Sequence, residues 1–411
     1  MGVADGLPPL YLEILMAKKI EETSREKRIR EICDTINTGS FGGENHDAVT
    51  YLGSGDVTGI ERFSSGCCDL DDALGGGWPK GRFVEIFGPE SGGKTTIALQ
   101  GLAQYQLKYP NDDVALVDSE YSLDEEYAKA LGVDMRYLIV NQPESGEQAL
   151  NVISQLIQSG VRLLVVDSVA ALTPKSELEG DVGEGSGMAE QARIMSKALR
   201  RLTTEAGSRD VTIFWTNQVR EKLNVLYGDK TTTPAGHALK HYASIRVKVD
   251  RIGTVKEKIN GVDVAVCNKT RADVRKNKTS PPFRVAIFYI TYGHGIDMAA
   301  SLLDGALARK VIEKRGAWFA FDGEQIGQGR VSTLDLLRKD VELSGRVSKA
   351  LEEAKAKGVE PEVETTKTTF KRPKSPVRPT DVDPDDMSSP EAITVESESA
   401  PEEAETSVQD A

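Results

Sequence analysis

The sequence predicts an α/β fold in which a mainly parallel sheet lies between helices, and three observations predict it. Between Phe83 and Trp215, short apolar runs alternate with segments of helical spacing. The runs are continuously apolar, as in Leu163-Leu-Val-Val166, which is how strands buried on both faces read. A glycine-rich loop, Gly88-Pro89-Glu90-Ser91-Gly92-Gly93-Lys94-Thr95-Thr96, joins one such run to the helical pattern after it.

In chain order, Leu10, Leu12, Ile14, Leu15, Ile20, Ile29 and Ile32 recur at helical spacing among charges, and a polar, Gly-rich stretch runs from Gly39 to Gly59. Residues 1–59 are therefore expected to be a helical, oligomerising lead-in. Strands are expected at Phe83 to Phe87, Val114 to Val117, Leu163 to Val166 and Val211 to Trp215. Helices are expected at Lys94 to Lys108, Glu125 to Leu131 and before each of the last two strands. Ile245 to Val249, Val264 to Asn268 and Phe283 to Ile290 are β-rich without long helices between them, predicting antiparallel additions at one edge. These complete a core over 60–297. Helical patterns at Ala299 to Arg309, Thr333 to Arg338 and Glu342 to Ala356, with a short strand at Trp318 to Phe321, predict a small α+β domain over 298–356. Residues 357–411 are rich in Pro, Ser, Thr and charge and poor in large apolar side chains, predicting a disordered tail.

Composition sets limits on partners. Hydrophobic residues make up 39% and charged residues 28% of 411, ordinary for a globular chain with some disordered sequence. Eleven of the acids behind the net charge of −13 lie after Arg378, where no Lys or Arg occurs, so the remainder carries −2. A near-neutral body can present a basic face to nucleic acid. The tail, basic at Lys371 to Lys374 and acidic beyond, reads either as a solubilising segment or as an electrostatic competitor for that face. No apolar run is long enough to span a bilayer and no signal peptide is recognisable, so no membrane partner is expected. Four cysteines without C-x-x-C spacing argue against a zinc site or a disulfide framework and fit a reducing cytoplasm.

Gly88 to Thr95 matches G-x-x-x-x-G-K-[ST] between a strand and a helix. Its glycines let backbone N–H groups turn towards phosphate oxygens, aided by the helix dipole; Lys94 reaches the β/γ-phosphates and Thr95 offers a hydroxyl to Mg²⁺. The ligand so implied is ATP with Mg²⁺. Asp167 ends an apolar strand, where it can ligate the ion or orient one of its waters. Asp118 and Glu120 end another strand. Either could polarise an attacking water, Asp118 could equally cap a helix, and the residues alone do not rank them. Asn217 and Gln218 end a fourth strand in amides able to sense a γ-phosphate. Long segments follow, Gly180 to Gly187 and Val219 to Ala235, with Arg193, Arg200, Arg201, Arg220, Lys222 and Lys230 in or near them. Such loops are usually functional and suit a nucleic-acid backbone; the alternative is ordinary solvated charge.

Together these segments resemble the bacterial RecA recombinase family from about Gly66 to Gly329. The resemblance rests on the P-loop, Val166-Asp-Ser-Val-Ala-Ala-Leu-Thr-Pro-Lys175, Asn217-Gln218, Thr231 to Thr233, Ala238-Leu-Lys240, Lys276-Asn-Lys278 and Gly327-Gln-Gly329. It implies a RecA-like core, a DNA-dependent ATPase, and a head-to-tail helical filament on single-stranded DNA that exchanges strands with a duplex. It also implies roles for particular residues. Glu120 would activate water and Gln218 would sense the γ-phosphate. Tyr127 would stack on adenine with Asp124 near its edge. Lys276 and Lys278 would reach the neighbouring subunit's ATP. Met188 and Leu223 would wedge between base triplets, while Arg193, Ser196, Arg200, Arg220 and Gly236 hold the backbone. A single-strand-binding protein and a LexA-type repressor are further partners it brings into view.

The sequence departs from that family pattern at His241, where an aromatic Phe is usual; in a first loop one residue longer than usual around Gly185-Ser-Gly187; before Ile60; and at Cys67-Cys68. These departures suggest a divergent member, phage origin being one reading, rather than lost activity. A RadA-like branch-migration motor should carry a zinc-binding cysteine cluster and Lys-Asn-Arg-Phe-Gly, neither of which occurs. A nucleotide-switched scaffold that activates a repressor's self-cleavage is the non-enzymatic alternative.

Overall fold

The computed structural model of the chain describes residues 26–38, 59–180, 187–221, 231–234, 237–259 and 261–359. The expectations for the first 25 residues, for 39–58 and for the tail from 360 onward lie outside the described residues; residues 26–37 form a helix. Nine strands make the central sheet: β1 (Phe83–Gly88), β2 (Val114–Asp118), β3 (Leu138–Asn141), β4 (Leu163–Asp167), β5 (Thr212–Gln218), β6 (Ile245–Ile259), β7 (Val262–Asn277), β8 (Val285–Thr291) and β9 (Gly295–Ile296). Their spatial order is β9-β8-β7-β6-β1-β5-β4-β2-β3. All pairs from β6 through to β3 are parallel, and β7, β8 and β9 add antiparallel.

The helices are α1 (Cys68–Leu74), α2 (Lys94–Lys108), α3 (Glu125–Ala130), α4 (Gly146–Gln158), α5 (Gly187–Gly207), α6 (Ala238–Tyr242), α7 (Met298–Ala308), α8 (Arg330–Lys339) and α9 (Val341–Ala356), besides a short turn of helix at Lys175–Glu179. Side-chain alternation along the buried strands splits the core between two faces. Leu163, Val165 and Phe214 pack with Ile97 and Leu102 of α2, whereas Leu164, Val166 and Trp215 pack with Ile153 of α4 and Leu199 of α5. Phe214 and Trp215 are fully buried on opposite sides of one strand. Each contributes about 1.5–3 kcal/mol through burial, so neither face of the sheet could be left open.

Two expectations change. Strand β6 is parallel to β1, with Ile245 opposite Val84, so the antiparallel additions begin only at β7. The short helix α6 carries the chain back to the starting end of β1 before β6 begins. Strands β6 and β7 also run for 15 and 16 residues, far beyond the short apolar runs. Only part of each lies in the sheet core, and the rest forms a charged two-stranded arm whose pattern does not alternate. A third core lies further along the chain, where Leu303, Ile312, Phe319, Ile326, Leu337 and Val347 unite α7, α8 and α9 with a meander of Ile312–Arg315, Trp318–Phe321 and Glu324–Gln328. Asp72 of α1 joins that part to the sheet through Arg309 at 2.8 Å and Lys355 at 3.1 Å.

Candidate active site

Four parallel strands end side by side at the P-loop. Gly88 of β1 stands opposite Gln218 of β5, and Asp118 of β2 opposite Asp167 of β4. A crevice beyond the carboxyl ends of parallel strands is where an α/β sheet takes its ligand. No side chain fits at Gly88, because a Cβ there would lie 2.0 Å from the Val249 carbonyl oxygen. Ser91 and Gly93 adopt left-handed backbone with φ of 55° and 96°, a turn that aims successive N–H groups into an anion-sized hollow. Pro89, Glu90 and Ser91 are exposed on this turn, while Gly92 is buried and Thr96 is buried under it. Lys94 Nζ donates to the Pro89 carbonyl at 2.8 Å. Burial pushes its ammonium below the ordinary lysine range, against the pull of Asp167, Glu120 and Glu90. A partly desolvated cation over a ring of N–H groups is matched to phosphate oxygens.

Thr95 donates its hydroxyl to Asp167 Oδ2 at 2.6 Å, and Thr216 donates to Oδ1. Burial raises the Asp167 carboxyl above the usual range; the two hydroxyls oppose that, and Glu120 and Asp118 add to it. A hydroxyl beside a carboxylate is a hard-oxygen pair suited to Mg²⁺. Among the described residues no cluster of three or more His, Cys, Asp or Glu could hold an ion unaided.

The two carboxylates that the residues alone leave unranked differ in surroundings. Asp118 is buried and held by three protein donors: Oδ1 accepts from the Ser122 N–H at 3.2 Å, and Oδ2 from the Leu123 N–H and Gln142 Nε2, both at 3.1 Å. It holds the loop that follows β2. Glu120 is exposed, accepts from the Ser168 hydroxyl, and lies 3.5 Å from Gln218 Nε2. Glu120 alone is free to face a ligand.

A cleft of about 340 Å³ continues from the P-loop past Thr96 and Tyr127 to Asn268, Ile290 and Tyr292. The Tyr127 ring lines it, its hydroxyl 2.8 Å from that of Thr96, and Asp124 caps α3 by accepting from the Tyr127 N–H at 3.0 Å. Sequence reasoning missed the far wall, where Tyr292 donates to Asn268 at 2.6 Å. Both lie on or beside recognisable strands, but only the order of those strands in the sheet brings them to the loop.

Lys276 and Lys278 do not join this cluster within one chain. Lys276 Nζ donates to the Lys240 and His241 carbonyls at 2.7 and 3.1 Å, closing the end of α6, and Lys278 is exposed. Lys276 is level with Arg246, which pairs with buried Glu85; Asn217 Nδ2 also reaches Glu85, at 3.1 Å. Arg193, Ser196 and Arg200 share one side of α5 at helical spacing, with both arginines exposed and Arg193 3.5 Å from Glu190. The side chains of Met188 and Arg220, Leu223 and Gly236 as a whole, and most of both loops lie outside the described residues.

The model of the RecA N-terminal domain matches residues 28–297 and that of the RecA C-terminal domain residues 300–355. The chain is 45% identical to protein RecA of Acinetobacter baylyi over 309 residues, covering 75% of this chain and 86% of the relative. It is 41% identical to protein RecA of Prochlorococcus marinus (strain AS9601) over 367 residues, covering 89% and 97% respectively. It is 44% identical to protein RecA of Streptomyces avermitilis over 345 residues, covering 84% and 89%. With a phosphate-binding loop, a hydroxyl–carboxylate pair and a free glutamate converging at one sheet edge, and both family domains matched along its length, the chain belongs to the RecA recombinase family.

Proposed function

We propose that this chain is a DNA-dependent ATPase that assembles head to tail on single-stranded DNA and pairs it with homologous duplex DNA in the cytoplasm. One observation carries the reading: Gln218, the last residue of β5 and the root of the second loop, reaches Glu120 at the P-loop. An amide so placed links the state of the γ-phosphate to a segment bearing Arg220, Lys222 and Lys230. Lys94 and the loop N–H groups hold the phosphates, Thr95 and Asp167 hold Mg²⁺, and Glu120 orients water for attack. Bound Mg²⁺ would neutralise charge developing on the phosphate oxygens. Tyr127 supplies an aromatic face for the base, and Arg193, Ser196 and Arg200 supply one side of a DNA track. Lys276 and Lys278 complete a neighbour's site. Cys33, Cys67, Cys68 and Cys267 form no disulfide with one another, which fits a reducing compartment, and among the described residues no helix is long and apolar enough to cross a membrane. The separate core from Leu303 to Val347 supports a division near residue 298, and divisions at about residues 60 and 357 rest on the sequence pattern.

The test is ATP hydrolysis with and without single-stranded DNA across a salt series. Stimulation by DNA that weakens steeply with salt is the expected result. No stimulation at any salt would leave a nucleotide switch for a protein partner.

A further inference from the structure

Helix α6 carries two of the four histidines of the chain, His237 at its N-cap and His241 four residues on. The backbone between them is helical: His237 has φ −91° and ψ −13°, and the His241 N–H donates to the His237 carbonyl at 3.2 Å. Residues four apart on such a turn project from one side, with Cβ atoms about 5–6 Å apart. Both histidines are exposed and line the same groove, which runs between α6 and α5 past Ser196 and Tyr242. Paired imidazoles at this spacing are a chelating arrangement for borderline dications.

We propose that His237 and His241 bind a transition-metal dication of the Zn²⁺ class. Among the described residues no third His, Cys, Asp or Glu joins them, so water fills the remaining positions and the ion exchanges readily. Imidazole nitrogen selects Zn²⁺, Co²⁺ or Ni²⁺ over Mg²⁺, which keeps this site distinct from the oxygen donors at Thr95 and Asp167. An ion bridging His237 and His241, the first and fifth residues of this turn, would stiffen a five-residue helix whose last carbonyls already receive Lys276. The site does not depend on the ATPase reading.

The experiment titrates the full chain with Co²⁺, in excess Mg²⁺ and without nucleotide, following the visible d–d bands and then displacement by Zn²⁺. The expected result is one saturable Co²⁺ per chain. Its affinity falls at least about tenfold in His237→Asn and in His241→Gln, and is unchanged in His294→Asn. All three are exposed positions, and circular dichroism checks that each variant folds. Absence of saturable Co²⁺ uptake overturns the proposal. So does uptake that survives both single substitutions.

Discussion

Gln218 Nε2 stands 3.5 Å from Glu120 Oε1, so the end of β5 and the segment after β2 touch across the mouth of the P-loop. The two strands are not neighbours: β4 lies between them. Contact is possible because Glu120 stands two residues beyond the end of β2 and turns back over Ser168, whose hydroxyl it accepts. A carboxylate so held is aligned while staying exposed, whereas Asp118 is buried and accepts from three protein N–H groups.

That contrast separates two substitutions. Glu120→Gln should leave nucleotide binding and melting temperature near those of the parent and reduce hydrolysis by about 10²-fold or more. Asp118→Asn should instead destabilise the fold by about 1–3 kcal/mol, since an amide N–H₂ would face donors at Ser122, Leu123 or Gln142. Nucleotide binding, turnover and thermal melting of both variants decide it. Normal turnover in Glu120→Gln would move the role to another group.

Lys94→Ala removes the cation at the loop while leaving the glycine backbone intact. ATP-dependent DNA binding should disappear, and hydrolysis should fall by about 10²–10³-fold or more. Fluorescence anisotropy of a labelled single strand, with and without ATP, measures this. Tight, ATP-stimulated binding by the variant would place the phosphates elsewhere.

The P-loop, its strand and helix, and Asp167 were legible in the sequence because each is a local pattern: an apolar run, a glycine turn, an acid at a strand end. Helix α2 begins and ends where its spacing predicts, at Lys94 and Lys108. The far wall of the cleft was not legible. Asn268 and Tyr292 reach it only because β7 and β8 are added beyond β6, and strand order is decided by long-range pairing. The parallel sense of β6 was hidden for the same reason. Choosing between Asp118 and Glu120 needed the loop conformation, since Asp118 is consumed by N–H groups four and five residues ahead.

The buried pair Glu85–Arg246 should be worth more than a surface bridge. Glu85 is fully buried, and the Arg246 guanidinium also lies over the Phe87 ring at 4.4 Å. Arg246→Ala leaves a buried carboxylate with little beyond Asn217 and should cost about 3–5 kcal/mol. Replacing both, as Glu85→Gln with Arg246→Met, should recover much of the loss by removing the uncompensated charge. Urea unfolding of the single and double variants tests this. A double variant no more stable than Arg246→Ala would show that packing, not charge, dominates.

Asp69 makes stability depend on pH in a direction opposite to a salt-bridged carboxylate. Burial, reinforced by Asp304 and Asp72 and only partly offset by Lys355 and Arg309, raises its carboxyl from 3.8 to about 6. The folded state therefore holds this proton more tightly than the unfolded one. Its contribution is fully present below pH 3.8 and is lost as pH rises through about 6, above which a charged Asp69 sits unfavourably beside two other acids. Asp69→Asn cannot ionise. Its advantage over the parent should be small near pH 4, grow towards pH 6 and level off beyond. The plateau should be on the order of 2 kcal/mol at low ionic strength and smaller in salt, which screens the like-charge part. Paired melting curves from pH 4 to pH 8 measure the difference directly. A difference that stays constant across that range would mean Asp69 ionises alike in both states, and a parent that gains on the variant as pH rises would mean Lys355 and Arg309 outweigh burial.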